Sequence, residues 1–114
     1  MRNRDPDNPM GTYVLNANGK PVPEPDMMKW AIWYEDAKER IIAKTELDGV
    51  LISTIFLGLD HNFSENGPPV LWETMVFGGP LNRDASRCAG SREQAEAMHQ
   101  EFVERVEALL ALKL

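Results

Sequence analysis

The dipeptide Asp48-Gly49 lies between two strand-like runs, residues 41–47 and 50–57. The first run alternates apolar and polar side chains, as a strand with one exposed face does. Because a type I′ turn needs positive φ at both central positions, Asp-Gly between such runs is a strong signal of a β-hairpin. Run 50–57 has apolar residues on both faces, so it is predicted to be the central strand of an antiparallel sheet.

Further strands are predicted on either side of this hairpin. Residues 70–77 are rich in Val, Trp, Thr and Phe and predict a third strand. Residues 86–89 are the candidate for a short fourth strand at the edge of the sheet. Residues 12–15 predict a separate short strand, and the prolines that follow at 21, 23 and 25 predict an extended connection.

Two amphipathic helices are predicted to pack on this sheet. The first begins after Asp26, whose carboxylate can accept the free amides of the first turn, and ends near Arg40. The second begins after Ser91, which forms a capping-box pattern with Gln94. The side chains expected to be buried recur three and four residues apart: Trp30, Trp33, Tyr34, Ala37 and Ile41 in the first helix, and Ala95, Met98, Phe102, Val106 and Leu109 in the second.

Together these elements predict an α+β fold, a three- to four-stranded antiparallel meander sheet packed by an N-terminal and a C-terminal amphipathic helix. The chain has 114 residues, a length typical of one domain, and residues 12–114 are assigned to that domain. Residues 1–11 contain two prolines and no hydrophobic periodicity. They are predicted to form a flexible N-terminal arm.

Charge and apolar patterning argue against several classes of partner. The net charge of −6 opposes binding to a phosphate backbone, which requires clustered Lys and Arg. The longest apolar run, residues 50–59, is about half the length of a membrane-spanning helix. No secretion signal is recognised, and the single cysteine, Cys88, cannot close an internal disulfide. We therefore expect a cytoplasmic protein that binds neither nucleic acid nor membrane.

Four polar residues form the candidate catalytic site: Asp60, His61, Glu73 and His99. Asp60 and His61 follow the predicted central strand, Glu73 lies in the next strand, and His99 lies at the edge of the apolar stripe of the last helix. Two histidines and two carboxylates suffice for a divalent metal ion or a general acid–base pair. The alternative interpretation is structural, because Asp and His at a strand end often bind local backbone, and Glu73 can pair with Lys44. The structural interpretation is favoured, and no cofactor is expected.

Other suggestive patterns also favour structural roles. The aromatic residues could form a stacking platform, but the acidic chain offers no cations to hold a nucleic-acid backbone beside it. The glycine spacing matches neither G-x-G-x-x-G nor the P-loop pattern. Arg87 beside Cys88 could lower the pKa of the thiol, yet without a neighbouring histidine an inert cysteine is favoured.

Several segments resemble a family of small uncharacterised proteins encoded by bacteriophages and prophages: residues 53–63 (STIFLGLDHNF), 67–69 (GPP) and 72–79 (WETMVFGG). Further matches are residues 13–15 (YVL) before Pro-Val-Pro, Trp30 with residues 33–35 (WYE), and Ala95-Glu96 with His99. The resemblance extends from Tyr13 to about Val106 and implies a phage or prophage origin. It implies no particular reaction. Such proteins have an aromatic segment before the last helix, where this chain has Arg-Cys-Ala-Gly at 87–90.

Small size, acidic charge and the lack of a catalytic motif favour a non-enzymatic phage accessory protein. It would act by contact with a host or phage protein in the cytoplasm of the bacterial host. The first alternative is a metal-assisted or acid–base enzyme that uses the four candidate residues. The second is a virion-associated or oligomeric structural protein, for example a homodimer, because helices on one side of the sheet leave apolar side chains of the central strand in need of cover.

Overall fold

The computed structural model describes residues 5–64 and 66–112. Its elements in chain order are β1 (Tyr13–Leu15), β2 (Pro21–Pro23), α1 (Met27–Asp36), β3 (Ile41–Leu47), β4 (Val50–Phe56), β5 (Trp72–Phe77), β6 (Ala85–Cys88) and α2 (Arg92–Ala111). The main sheet is an antiparallel meander of four strands in the order β3-β4-β5-β6. The predicted α+β fold is therefore confirmed, with β4 inside the sheet and with the fourth strand present.

The hairpin of β3 and β4 turns at Asp48 and Gly49, as predicted. Backbone φ is 47° at Asp48 and 79° at Gly49, and both values lie in the left-handed region that a type I′ turn needs. The turn sets Leu47 opposite Val50, and a bulge near the start of β3 then brings Ile41 opposite Ile55. Because a slip of one residue would turn every side chain of β4 to the other face, this turn decides which of them are buried.

α2 packs on one face of the main sheet, which we call the covered face, and α1, which lies against β1, reaches the same face through Trp33. Alternate residues of β4 and β5 are buried there, beginning with Val50 and Trp72. One buried cluster joins the sheet to α2: Val50, Ile52, Val76, Met98, Phe102, Val103 and Val106. A second lies at the other end of the face: Leu15, Phe56, Leu71, Trp72 and Ala95. Trp33 of α1 reaches this second cluster, where its ring meets Phe56 edge-on at 6.0 Å.

The predicted N-caps of both helices are confirmed. The Asp26 carboxylate accepts hydrogen bonds from the backbone amides of Met28 (3.0 Å) and Lys29 (3.1 Å). Ser91 Oγ accepts one from the amide of Gln94 at 3.3 Å. These bonds satisfy amides that would otherwise have no partner in the first turn.

The predicted end of the first helix near Arg40 is wrong, because α1 ends at Asp36. Ala37 has extended backbone (ψ 95°), and a short 3-10 turn, Lys38–Arg40, leads into β3. Arg40 Nε donates to the carbonyl of Tyr34 at 2.9 Å, and its guanidinium lies 3.9 Å from the centre of the Tyr34 ring. Arg40 therefore satisfies a carbonyl of the last helical turn from outside the helix.

The proline-rich segment that was predicted to be an extended connection contains a strand. β2 pairs antiparallel with β1, with Val14 opposite Val22. The connecting turn is closed by the Asn16 side chain, which accepts from the amides of Asn18 and Lys20, and by Gly19 at φ 75°. Proline lacks a backbone donor, so a short strand at the edge of a small sheet is a position it tolerates.

The described part of the predicted N-terminal arm, residues 5–11, contacts the rest of the fold. Asn8 is only 1% exposed, its amide nitrogen donates to the carbonyl of Thr12 (2.8 Å), and its oxygen accepts from Thr12 Oγ1 (3.1 Å). The carbonyl of Gly11 accepts from the amide of Asp60 at 2.9 Å. Specific packing therefore begins upstream of residue 12.

The outer side of α2 is strongly acidic. The helix has 20 residues, and its exposed side carries the glutamates at positions 93, 96, 101, 104 and 107. Within residues 5–64 and 66–112, no helix is long and apolar enough to cross a membrane.

Replacement of Gly49 by alanine should destabilise the fold through the turn alone. A Cβ at this position meets no atom within 4 Å, so the cost is the strain of an alanine at positive φ, about 1–2 kcal/mol. This corresponds to a fall in Tm of roughly 4–8 °C, measurable by scanning calorimetry. Asp48→Asn is the matched control, because asparagine tolerates the left-handed region and should leave Tm nearly unchanged. An unchanged Tm for Gly49→Ala would contradict the role given to the turn.

Candidate functional site

A chain of hydrogen-bonded polar side chains, all buried except the half-buried Thr45, lies between the centre of the sheet and α2. His99 is 6% exposed, and Thr54 and Thr74 are fully buried. His99 Nδ1 lies 2.7 Å from Thr54 Oγ1, and Nε2 lies 2.8 Å from Thr45 Oγ1. Thr54 Oγ1 is in turn 2.5 Å from Thr74 Oγ1. Three strands and one helix therefore each contribute one side chain to a single network.

Strand register explains why these hydroxyl groups meet. Thr54 and Thr74 lie directly opposite each other on β4 and β5, and Thr45 pairs with Ile52 on the same face. His99 is one helical turn from Ala95 and Val103, which are buried against this face. The imidazole therefore enters the sheet at the level of the three threonines.

The network satisfies both nitrogens of a neutral imidazole, which has one donor and one acceptor. With the proton on Nε2, the ring donates to Thr45 and accepts from Thr54, whose oxygen accepts from Thr74. With the proton on Nδ1, every hydrogen bond runs in the opposite direction. Both arrangements use the same distances, so the neutral ring is well accommodated in either tautomer.

Burial lowers the pKa of His99 below its usual value of 6.5. The charged residues of the surrounding strands fall on the opposite face by alternation: Lys44, Glu46, Glu73 and Arg87. Cys88 is the titratable side chain that β6 turns toward the covered face. On α2 itself, Glu96 is exposed and pairs with Arg92 at 2.9 Å. The strands thus offer no carboxylate to stabilise an imidazolium, and burial favours the neutral ring.

Glu73 lies on the other face of the sheet from His99. It stands directly across from Arg87, and its carboxylate accepts a hydrogen bond from Arg87 Nε at 2.7 Å. The suggested pairing with Lys44 is not the one observed, because β4 lies between β3 and β5. The sheet separates Glu73 from His99, so the structure does not bring these two together.

Asp60 and His61 lie in the loop that follows β4. Asp60 is buried, and its Oδ1 accepts from the backbone amides of Asn62 (2.8 Å) and Val70 (3.0 Å). Nδ1 of His61 donates to the carbonyl of Leu59 at 2.7 Å. Asp60 thus links the two ends of the loop, which is the local backbone role that the structural interpretation assigned to it.

The four candidate residues therefore occupy three environments. Asp60 and His61 lie in the loop, Glu73 lies on the face of the sheet opposite the covered face, and His99 lies in the buried network. In the part of the chain that the structure describes, no group of three or more His, Cys, Asp or Glu side chains is placed to hold a metal ion. The network threonines were not singled out from the sequence. The feature of the sequence that points to them is the recurrence of Thr at inward positions of three neighbouring strands.

Cys88 and Trp30, for which the sequence also suggests a chemical role, pack within the fold. Cys88 is half-buried on the covered face, and burial raises the pKa of its thiol. Arg87 points to the opposite face, so it does not activate Cys88. The Trp30 indole donates to the carbonyls of Tyr13 and Gly58, both at 3.1 Å, and thereby ties α1 to β1 and to the end of β4.

The second face of the main sheet, which we call the open face, is the other candidate site. Its side chains point away from both helices: Ile41, Lys44, Glu46, Leu51, Ser53, Ile55, Glu73, Met75, Phe77, Ala85 and Arg87. The apolar members are partly exposed, and Ile41 and Phe77 are each 45% exposed. The open face thus has an apolar middle formed by Leu51 and Ile55 on β4 and by Met75 and Phe77 on β5. Charges of both signs lie around it: Lys44 and Glu46 on β3, Arg87 on β6, and Glu73 on β5 opposite Ile55.

Loss of the Thr54 hydroxyl should destabilise the fold. Thr54→Val keeps the side-chain volume but leaves His99 Nδ1 and Thr74 Oγ1 each without a partner. A buried group that loses its hydrogen bond costs about 1–3 kcal/mol. The free energy of unfolding in urea, followed by tryptophan fluorescence, measures this cost. Ser53→Ala, the neighbouring change on the open face, should alter it by less than about 0.5 kcal/mol; equal effects would contradict the network.

Stability should decrease as the pH falls below about 6.5. In that range His99 takes up a proton in the unfolded chain, while burial keeps it neutral in the folded one. The stabilisation is fully present above the unfolded pKa and is lost progressively toward the lower folded pKa. Urea midpoints between about pH 8 and 5.5 measure this slope, which His99→Gln should flatten. The same slope in wild type and His99→Gln would refute the assignment.

Comparison with known proteins gives no match to a family model, a curated protein or a solved structure. The resemblance to small phage proteins therefore rests on the segments quoted above and stays a prediction. Within the described residues, the network around His99 is largely enclosed by the fold, whereas the open face is partly exposed.

Proposed function

We propose that this chain is a small accessory protein that acts by protein–protein contact through the open face of its main sheet. The observation that carries the proposal is the apolar middle of that face, which lies on the side of the sheet opposite both helices. It consists of Leu51, Ile55, Met75 and Phe77. Single exposed apolar side chains are ordinary, but a contiguous apolar patch within a polar rim is typical of an interaction surface.

Strand register supports the continuity of this patch. Leu51 and Phe77 are directly opposite on β4 and β5, and Met75 is opposite Ser53. Side chains opposite each other have Cβ atoms about 5 Å apart, and diagonal neighbours about 7–8 Å apart, within reach of long side chains. Leu51, Phe77 and Met75 therefore form one surface, and Ile55 extends it toward Ile41.

The charged residues of the open face support binding to a protein rather than to a nucleic acid. Glu73 and Arg87 pair with each other, and Lys44 and Glu46 lie on the edge strand β3. A surface with equal numbers of cations and anions has no excess of Lys and Arg to attract phosphate. The separation of Glu73 from His99 likewise weakens the enzymatic alternative. The bacterial host cytoplasm as the place of action is proposed on the resemblance to phage proteins.

Site-specific photo-crosslinking tests this proposal. A benzophenone amino acid is placed at Met75 on the open face or, as the matched control, at Ala97 on the exposed side of α2. In bacterial cells that express the protein, we expect discrete adducts from position 75 that are absent from position 97. Ile55→Lys, introduced beside the probe, should remove these adducts, because it places a charge in the apolar middle.

Circular dichroism of each variant verifies that it folds. Absence of adducts at position 75, or the same adducts from positions 75 and 97, would sink the proposal.

A further inference from the structure

We infer that the partner of the open face is a second copy of this chain, so that two sheets pack face to face in a two-fold symmetric dimer. The inference rests on the proposed function and names its partner. Sheets that pack face to face lie about 10 Å apart with their strands roughly aligned. In a two-fold dimer the same surface is used by both copies, so it has to be complementary to itself.

The charge balance of the open face favours a second copy as the occupant. Lys44 and Arg87 supply two positive charges, and Glu46 and Glu73 supply two negative charges. The sum is zero, although the whole chain carries −6. Lys44 and Glu46 lie together on β3, and Arg87 on β6 forms an ion pair with Glu73 on β5. Two copies can therefore meet here without the repulsion that their net charges would otherwise cause.

The opposite side of the molecule is unsuitable for self-association. The exposed side of α2 carries five glutamates and two arginines, so two such surfaces repel each other. In a face-to-face dimer the two α2 helices lie on the outside, with both sheets between them. With layers about 10 Å thick, the helices are roughly 30 Å apart, well beyond the screening length of about 8 Å at physiological salt.

The edges of the sheet are unsuited to joining two sheets side by side. The edge strand β3 has a bulge between Ile41 and Ala43 and an exposed Lys44 in its middle. The other edge, β6, has only four residues. Bulges, edge lysines and short edge strands are features that prevent strand pairing between copies. Self-association through the face is therefore favoured over extension of the sheet.

The size of the open face predicts a weak dimer. Four strands about 4.8 Å apart, with seven, seven, six and four residues of about 3.4 Å each, cover roughly 400 Å² in projection. Interfaces of standard size bury about 800 Å² of accessible surface on each partner. The open face is at the low end of this range even after allowance for its corrugation. We expect a dissociation constant in the micromolar range, between about 10 and about 500 µM.

Sedimentation velocity on the purified full chain measures this equilibrium. From about 5 to about 500 µM, the weight-average mass should rise from 12.9 kDa toward twice that value. Met75→Lys places a charge in the apolar middle and should raise the dissociation constant at least about tenfold. Ser53→Lys on the neighbouring strand should have the same effect on the dissociation constant. This second variant provides the test if Met75→Lys does not fold. Ala97→Lys, the same change of charge on α2, should leave the dimer intact.

Spin labels distinguish the two sides of the molecule in the dimer. In a Cys88→Ser background, a label on Ala85→Cys, at the edge of the open face and outside its apolar middle, should lie within roughly 25 Å of its counterpart, because the two sheets are about 10 Å apart. A label on Ala97→Cys should be more than about 40 Å from its counterpart, because the α2 helices lie outside both sheets. The reverse order of distances would place the interface on α2 and overturn the inference.

Failure of this inference can be told apart from failure of the proposed function. A chain that stays monomeric up to about 500 µM, or a dimer that Met75→Lys and Ser53→Lys do not weaken, excludes the second copy. If photo-crosslinks from position 75 then join a protein of another mass, the open face is an interaction surface with a different partner. If no crosslink forms, both proposals fail.

Discussion

The left-handed turn at Asp48 and Gly49 fixes the register between β3 and β4, and the two sides of the molecule follow from that register. In this register Val50, Ile52 and Phe56 lie on the covered face, and Leu51 and Ile55 lie on the open face. Glycine at the second turn position has no Cβ to clash, so the turn forms without strain. A longer connection would leave the register to side-chain packing, and β4, with apolar residues on both faces, would then specify it weakly.

The buried network supplies the discrimination that apolar packing alone lacks. A slip of one residue in β4 would replace Thr54 with Ser53 or Ile55 at the inward position. Ile55 would leave Nδ1 of His99 buried without a partner, a cost of about 1–3 kcal/mol. Only the observed register aligns Thr54 with both His99 and Thr74. The turn and the network therefore fix the register together. The turn is local in sequence, whereas the network joins residues up to 54 positions apart.

Features encoded within a few residues were predictable from the sequence. The hairpin turn depends on two residues and each helix start on one capping side chain, and all three are present. The pairing of Glu73 with Arg87 was missed, because it depends on the register between β5 and β6 across a connecting loop. The end of α1 was missed for a similar reason. Arg40 satisfies Tyr34 from beyond the helix, and helical periodicity does not reveal such a contact.

The candidate catalytic site is predicted from residue type and from the neighbouring elements that carry the residues, whereas strand alternation decides which face each side chain occupies. Glu73 is an outward position because Trp72 and Thr74 are inward. By the same rule Leu51, Ile55, Met75 and Phe77 share the open face. Because these side chains remain partly exposed in one copy, they contribute less to folding than their hydrophobicity allows. Burial of their remaining exposed area against another surface would release further hydrophobic free energy. For this reason the proposed function is placed on the open face rather than on the buried histidine.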